Sequence, residues 1–310
     1  MNLIEPVNQT KLFGLNNFIY ELINLYEQNK FPNRILLSGQ KGLGKLTLAY
    51  HFVNYVLSKN EDFKYDIDNL EINPNNHSYK TTLNRSNPNI ILIDINSEKK
   101  FIDIDQIRKL IHSLNKSSFN NKPRFVLIDN IELLNTHSVN ALLKILEEPT
   151  SNINFILINN NKKILKTLLS RCINFKIYLS NQESLNIAND LLNNNLDETV
   201  NEDLINYYSS PGNIYNLAQF GKIDNYDLSK IDLKKFLKII IKDNLYKKDN
   251  SIKYLIYDFF ELYLTRINLS ISLKIKNKYS YFIKRISDTR RFNLDEESLF
   301  IEFEDEILNG

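Results

Sequence analysis

The sequence predicts an α/β domain built on a parallel β-sheet, followed by a small helical domain and an all-helical C-terminal domain. Short apolar runs alternate with amphipathic helical patterns over the first 178 residues, as expected for a parallel sheet covered on both faces. Three of the seven glycines lie close together between the first apolar run and the first helical pattern. Residues 222–309 contain neither glycine nor proline and carry apolar residues at helical spacing.

The predicted strands are too short for helices and are bounded by Asn, Ser or Pro. They are Arg34–Ser38, Asn89–Ile95, Arg124–Asp129, Ile153–Asn159 and Ile173–Tyr178. The helical patterns between them are Lys45–Ser58, Asp103–Asn115 and Thr136–Leu146. The polar stretch 59–87 has no periodic pattern and is predicted to be an insertion or loop. We place the domains at residues 1–179, 180–225 and 226–310.

The composition is that of an ordinary folded protein, with 43% hydrophobic and 25% charged residues. A single cysteine, Cys172, excludes an intrachain disulfide and a four-cysteine zinc module, so no zinc is expected. No signal-peptide core and no uncharged apolar run of about 18 residues is present. We therefore expect a cytoplasmic protein with no membrane partner. The net charge of +2 does not by itself indicate nucleic-acid binding.

The clustered glycines form a phosphate-binding pattern. Gly39, Gly42 and Gly44 lie in SGQKGLGKLT, which matches G-x-x-x-x-G-K directly after a predicted strand and before a predicted helix. Such a loop turns backbone N–H groups toward phosphate oxygens, and Lys45 adds a positive charge. The expected ligand is ATP or ADP. A tight strand-to-helix turn that binds nothing is the alternative.

The position after the lysine departs from the usual pattern. A serine or threonine there supplies a hydroxyl ligand to Mg²⁺, and this chain has Leu46 instead. Thr47 follows, but it points about 100° further round the helix. Both residues belong to the predicted nucleotide site, and the missing hydroxyl argues against Mg²⁺-dependent hydrolysis.

The strand RFVLID ends in Asp129, an acid placed to hold Mg²⁺ directly or through water. A hydrolysing site needs a second carboxylate beside it to activate water, and Asn130 stands there. An amide cannot accept that proton, and loss of a general base costs about 10²–10⁴-fold in rate. Glu132 is expected on the wrong face of the turn. A strand-end cap is the alternative role for Asp129.

A second set of motifs follows. The chain reads HSVNALLKILEEP over residues 137–149, FILIN over 155–159 and LSRC over 169–172. This series resembles the clamp-loader branch of the AAA+ ATPases, in which a helix of similar sequence precedes a sensor strand and an S-R-C motif. The resemblance runs from Phe13-Gly14 through Ser210-Pro211-Gly212 into the helical C-terminus. Within that branch, the chain is most similar to the delta-prime subunits of bacterial DNA polymerase III.

The resemblance implies a RecA-like AAA+ domain, a helical lid and a helical collar for oligomerisation. It implies gamma/tau and delta-type clamp-loader subunits as partners, with the sliding clamp and primed DNA contacted through the complex. In this family the S-R-C arginine acts in trans on the nucleotide of a neighbouring subunit, which makes Arg171 an arginine finger. Such a guanidinium is worth about 10³–10⁵ in rate. An ordinary surface ion-pair residue is the alternative for Arg171.

Two asparagines and a cysteine near these motifs complete the candidate residues. The sensor strand ends in Asn159 and Asn160, which would hydrogen-bond a phosphate or a water, or form a solvated turn. Cys172 is expected to pack as a small buried side chain rather than to react.

One more departure concerns the helical region. Ser210-Pro211-Gly212 is followed by Asn213, where active relatives carry a sensor arginine. With Leu46 and Asn130, this leaves the chain without a hydroxyl ligand, a catalytic carboxylate and a second sensor. The sequence therefore predicts a largely non-hydrolysing clamp-loader subunit. The alternatives are an active gamma/tau-like ATPase and a P-loop protein that binds nucleotide only structurally.

Overall fold

The computed structural model describes residues 5–95, 99, 101–115, 120–147, 152–193, 195–206, 209–248, 250–268, 273–292 and 294–309. The chain forms two compact units, one that ends at Glu183 and one that begins at Ser184. The finer division into three domains, after residues 179 and 225, stays a prediction. Glu148 and Pro149 of the EEP motif lie outside the described residues.

The N-terminal unit is built on one parallel sheet of five strands. They are β1 Arg34–Ser38, β2 Ile90–Ile93, β3 Arg124–Ile128, β4 Ile153–Asn159 and β5 Ile173–Lys176. Their order across the sheet is β2-β3-β4-β1-β5. β1 lies between β4 and β5, with Leu36 opposite Leu157 of β4 on one side and opposite Asn174 of β5 on the other. Because all pairs are parallel, the loops after the strands meet at one edge of the sheet.

Helices cover both faces of this sheet. They are α1 Asn16–Glu27, α2 Lys45–Ser58, α3 His77–Leu83, α4 Ile104–Leu114, α5 Thr136–Glu147 and α6 Lys166–Leu169. Along β3, Phe125 and Leu127 pack in one core with α1 and α2, whereas Val126 and Ile128 pack in a second core with α4 and α5. The predicted parallel sheet with two covered faces is confirmed.

Polar side chains organise the stretch 59–87. It contains the short helix α3, which begins where Asn76 Oδ1 accepts the Tyr79 N–H at 2.8 Å. Asn76 is fully buried, donates to the Phe63 carbonyl at 2.8 Å and accepts from Asn54 Nδ2 at 3.2 Å. The predicted loop is therefore wrong for α3. Buried amides anchor its first turn, and Leu70, Ile72 and Tyr79 of the same stretch pack in the core with α1 and α2.

The C-terminal unit is helical, as predicted. After α7 Asn181–Leu192 come α8 Leu196–Thr199, α9 Pro211–Ile223, α10 Leu233–Lys242, α11 Leu245–Lys248, α12 Asn250–Asn268, α13 Leu273–Phe292 and α14 Glu296–Phe303. Its core is rich in phenylalanine, with Phe260 stacked on Phe303 at 4.0 Å between ring centroids. Within the described part of the chain, no helix combines the length and apolarity needed to cross a membrane.

Candidate nucleotide site and arginine finger

The predicted phosphate loop connects β1 to α2. Gly42 and Gly44 have φ angles of 85° and 83°, in the left-handed region that favours glycine, and Gly44 directly precedes α2. Gly39 is required for another reason, because a Cβ there would lie 2.4 Å from the carbonyl oxygen of Ile177, in the segment after β5. The glycines therefore give the loop its backbone shape and its close packing.

Lys45, the first residue of α2, is buried, with 3% of its surface exposed. Its Nζ donates to the carbonyl oxygens of Gly39 at 2.8 Å and Gln40 at 2.6 Å, and to Asn160 Oδ1 at 3.0 Å. These bonds match the three donors of an ammonium group. Burial lowers the pKa of Lys45 to about 8, against the opposing effect of nearby carboxylates. The chain's own oxygens thus hold the ammonium group.

Asn160 directly follows β4 and connects Lys45 to β3. Its Nδ2 donates to Asn130 Oδ1 at 2.7 Å and to Glu132 Oε1 at 3.0 Å, and its backbone N–H donates to Glu132 Oε2 at 3.2 Å. Glu132 lies in the helical turn 131–133 after β3. The prediction that Glu132 lies on the wrong face of the turn is wrong, because this turn brings its carboxylate back to the end of β4.

Asn159, the last residue of β4, has a different role. Its side chain donates to the Lys162 carbonyl at 2.9 Å and accepts the Lys162 N–H at 2.9 Å. Its own carbonyl accepts the Gly39 N–H at 3.2 Å. The Asn159 side chain therefore forms the turn after β4, and of the two asparagines it is Asn160 that faces Lys45.

Asn130 stands where a hydrolysing site carries a carboxylate. Its φ of 54° is left-handed, a conformation that asparagine tolerates. Its Nδ2 donates to Asp94 Oδ1 at 2.8 Å, so a chain of hydrogen bonds joins Lys45, Asn160, Asn130 and Asp94. We call these four residues, with Glu132, the amide network. Lys45 comes after β1, Asn160 after β4, Asn130 and Glu132 after β3, and Asp94 after β2, so the network crosses the sheet in the order of its strands.

Asp129 directly follows β3. Its Oδ1 accepts the Asn130 N–H at 2.8 Å, and its own N–H donates to the Ile93 carbonyl at 2.9 Å. Burial, together with the charge of Asp94, raises the pKa of Asp129 to about 6. A raised pKa weakens a carboxylate as a metal ligand, since binding requires the ionised form.

The residues present do not complete a P-loop magnesium site. Leu46 is half-buried and packs against the core under α1 and α2, so the position that carries the hydroxyl ligand is apolar. Thr47 is half-buried at the next position of α2. Among the residues that the structure describes, no group of three His, Cys, Asp or Glu side chains is placed to hold a metal ion.

Arg171 lies at the edge of the sheet where the parallel strands begin, whereas the phosphate loop lies at the edge where they end. Arg171 precedes β5, whose first residue, Ile173, is opposite Ile35 near the start of β1. β1 has five residues and therefore separates the two edges by about 16 Å. Arg171 Nη1 donates to the Thr167 carbonyl at 2.7 Å, and Nη2 forms an ion pair with the carboxylate of Glu147, the last residue of α5.

Two other predicted residues have plain structural surroundings. Cys172 is half-buried against the core beside α4 and α5, and burial raises the pKa of its thiol to about 11, so its predicted packing role is confirmed. Asn213 lies in the first turn of α9, where its N–H donates to Ser210 Oγ at 3.3 Å. Its meaning as a missing sensor stays a prediction.

Asp94 and Glu147 were not among the residues predicted to form a site. Asp94 ends an apolar run as Asp129 does, and that shared position was the available signal. Glu147 belongs to the quoted LEEP sequence, but its contact with Arg171 depends on how α5 and α6 end beside each other.

A parallel sheet of this strand order, with a glycine-rich loop after β1 and a polar sensor position after β4, defines a P-loop protein of the AAA+ type. The family described as DNA polymerase III, delta subunit, matches residues 14–181, more than half of the 310 residues. The chain belongs to this family, and the predicted membership of the clamp-loader family is confirmed.

Two curated relatives come from Buchnera aphidicola subsp. Schizaphis graminum. DNA polymerase III subunit gamma is 30% identical over 215 residues, which cover 65% of this chain and 54% of the relative. DNA polymerase III subunit delta' is 28% identical over 251 residues, which cover 77% of this chain and 74% of the relative. A solved DNA polymerase III gamma subunit-related protein of Thermotoga maritima covers 90% of this chain and 96% of its own length, with 18% identity and a TM-score of 0.49. The chain therefore spans about half of the gamma relative and about three quarters of the delta' relative.

Proposed function

We propose that this chain is a delta-prime-type clamp-loader subunit that supplies Arg171 to a neighbouring ATPase and hydrolyses little or no ATP itself. One observation carries the proposal. Arg171 precedes β5 and so lies at the edge of the sheet opposite the chain's own phosphate loop, about 16 Å away along β1. A guanidinium there does not reach a phosphate bound between β1 and α2, so any nucleotide that it contacts belongs to another subunit.

The surface around Arg171 supports a protein partner. Leu165, Leu169 and Ile173 surround it in the sequence and are 49%, 39% and 55% exposed. Apolar side chains exposed together mark interaction sites, and arginine is enriched in protein interfaces. The arginine is thus placed on a surface suited to docking.

The chain's own phosphate loop supports the proposal that this chain hydrolyses little or no ATP. The hydrogen-bonding capacity of Lys45 is taken up by Gly39, Gln40 and Asn160, and Asn130 cannot act as a general base. We propose that the loop still binds ATP or ADP, through backbone N–H groups near Gly44, without magnesium-dependent hydrolysis. Loss of the base alone is worth about 10²–10⁴-fold in rate.

The proposed partners follow from the relatives, which are named as gamma, gamma/tau and delta' subunits of DNA polymerase III. We propose that the chain assembles with gamma/tau and delta-type subunits in the cytoplasm. Through that complex it would help to load the sliding clamp onto primed DNA.

The deciding experiment is Arg171→Ala in an assembly reconstituted with motor subunits. Hydrolysis at the site next to this chain should fall by about 10³-fold or more, and clamp loading should slow with it. Arg108→Ala is the matched control, because Arg108 is an exposed arginine of the same unit that pairs with Asp105. Unchanged hydrolysis and loading in a complex that still forms would show that Arg171 is not an arginine finger.

An active gamma/tau-like motor is the competing function, and the 30% identity to a gamma subunit favours it. ATP hydrolysis by the purified chain distinguishes the two. Robust hydrolysis that Lys45→Ala abolishes would identify a motor. We expect the purified chain to hydrolyse ATP no faster than its Lys45→Ala variant.

A further inference from the structure

We infer that Glu147 is a positioning residue for Arg171, which fixes the direction of the guanidinium before a partner's phosphate reaches it. The inference rests on the proposed function, because positioning has a catalytic consequence only if Arg171 acts on a neighbouring nucleotide. Glu147 is not itself placed to touch that nucleotide in the proposal. It acts through the arginine.

Two contacts define the orientation of the guanidinium. Nη2 pairs with the Glu147 carboxylate at the end of α5, and Nη1 donates to the Thr167 carbonyl within α6 at 2.7 Å. Because a guanidinium is planar and rigid, contacts at both terminal nitrogens fix its plane as well as its position. α5 and α6 pack against the same core, through Leu146 and Leu168, so both anchors stand on packed elements.

The held arginine keeps donors for a ligand. A guanidinium has five N–H donors, and the described contacts of Arg171 use one from each terminal nitrogen. Among the described contacts none uses the remaining donors, which include the Nε–H, and we assign these donors to phosphate oxygens. Among the described side chains, Glu147 is the carboxylate that contacts Arg171, and it is therefore the residue to which we assign the positioning.

The pair is better suited to alignment than to stability. The Glu147 side chain is 54% exposed and that of Arg171 is 30% exposed, and ion pairs in such positions contribute little to folding. Alignment is a larger effect, because a long flexible side chain loses rotamer freedom when it binds, and prior ordering removes that cost from the docking step.

The first test measures the kcat and KM of ATP hydrolysis in the reconstituted assembly. Glu147→Ala should lower kcat about tenfold, the size typical of lost supporting contacts, and leave KM unchanged. Glu147→Gln keeps an acceptor oxygen but not its charge, so it should lose about threefold. Lys144→Ala, an exposed residue one turn earlier on α5, is the matched control and should have no effect.

Epistasis separates positioning from other roles. In an Arg171→Ala background, Glu147→Ala should cause no further loss, because its target is gone. A further loss of the same size in the double variant overturns the inference, as does a rise in kcat for Glu147→Ala. If Arg171→Ala lowers hydrolysis while Glu147→Ala does not, the positioning role is wrong and the proposed function stands.

A second test uses the isolated chain and needs no partner. The Arg171 Nε–H should be ordered in the parent chain by NMR relaxation, flexible in Glu147→Ala and ordered in Lys144→Ala. An Arg171 side chain that is equally ordered without Glu147 overturns the inference whatever the assembly shows. An Arg171 side chain that loses order in Glu147→Ala, with no effect of Arg171→Ala on hydrolysis, places the failure in the proposed function instead.

Discussion

Asn130 donates to Asp94 through its amide nitrogen and accepts from Asn160 through its amide oxygen, at 2.8 and 2.7 Å. A carboxylate at this position would accept both ways and would place a second negative charge against Asp94. The amide therefore connects the ends of β2, β3 and β4 by side-chain hydrogen bonds, whereas a carboxylate could not donate to Asp94 and would repel it. At the scale of residues, the change that removes a general base also creates a structural connection.

The amide network predicts a measurable coupling between its members. Asn130→Ala and Asn160→Ala should each lower the free energy of unfolding by about 1–3 kcal/mol, because each leaves half-buried polar groups without partners. The double variant should lose about 1 kcal/mol less than the sum, since both changes remove the same hydrogen bond. Denaturant unfolding of the three variants gives the coupling, and strictly additive losses would contradict the network. Lys163→Ala, an exposed neighbour, should change stability by less than about 0.5 kcal/mol.

The raised pKa of Asp129 predicts that the stability of the chain depends on pH. Its pKa in the folded chain, about 6, lies above the ordinary value of 3.8, so the folded state binds the proton more tightly than the unfolded state. The protonated Asp129 carboxyl therefore stabilises the folded state fully below pH 3.8, and this stabilisation is lost as the pH rises through 6. Asp129→Asn should therefore be more stable than the parent chain at pH 7, by about 1–3 kcal/mol, and equally stable near pH 3.5. Urea unfolding at the two pH values tests this, and an equal difference at both would contradict it.

The turn from β1 to α2 is positioned by a contact with the residue that follows the edge strand β5. Gly39 lies against the carbonyl of Ile177, just after β5, and its N–H donates to Asn159 at the end of β4. The loop is thus fixed between both neighbours of β1. At the scale of elements, a phosphate loop keeps its shape here through its packing, whether or not a phosphate is bound.

Glycine substitutions distinguish packing from backbone conformation. Gly39→Ala places a methyl group 2.4 Å from a backbone oxygen, so it should destabilise the chain by about 3 kcal/mol, at the upper end of overpacking costs. Gly44→Ala meets nothing closer than a Leu15 side-chain carbon at 3.5 Å and carries mainly the cost of φ +83°, about 1–2 kcal/mol. Denaturant unfolding of both variants gives the comparison, and a larger loss for Gly44→Ala would contradict the assignment.

The whole molecule consists of two compact units with separate cores. The core of the N-terminal unit lies on both faces of the sheet, and that of the C-terminal unit is formed between helices, with Phe260 stacked on Phe303 and in contact with Phe300. Since each unit has its own apolar core, each is expected to unfold as its own cooperative unit.

Phe260→Ala tests that independence. Removing a fully buried phenylalanine should cost the C-terminal unit about 3–5 kcal/mol. Hydrogen exchange followed by mass spectrometry should then show faster exchange in peptides from residues 184–310 and no change in peptides from residues 5–183. Asn160→Ala should produce the converse pattern. Faster exchange throughout the chain in either variant would show that the units unfold together.

Much of the fold could be predicted because its signals are local in sequence. Apolar runs such as Ile153–Asn159 match β4 residue for residue, and the breaker-free region 222–309 contains the helices α10 to α14. The helix α3 could not be predicted, because Asn76 and Asn54 hold it through amide contacts that leave no periodic pattern. The direction of Glu132 could not be predicted either, since it depends on the turn after β3.

The sequence by itself determined the parallel sheet, the phosphate loop and the family. Apolar periodicity, clustered glycines and short motifs each depend only on residues that are close together in the chain. The tertiary structure decided which side chains meet: Asn160 rather than Asn159 faces Lys45, and Glu147 meets Arg171 across 24 positions. It also decided that Arg171 and the phosphate loop lie at opposite edges of the sheet. These facts depend on strand order and on where turns end, which bring distant residues together, and no short segment of sequence specifies them.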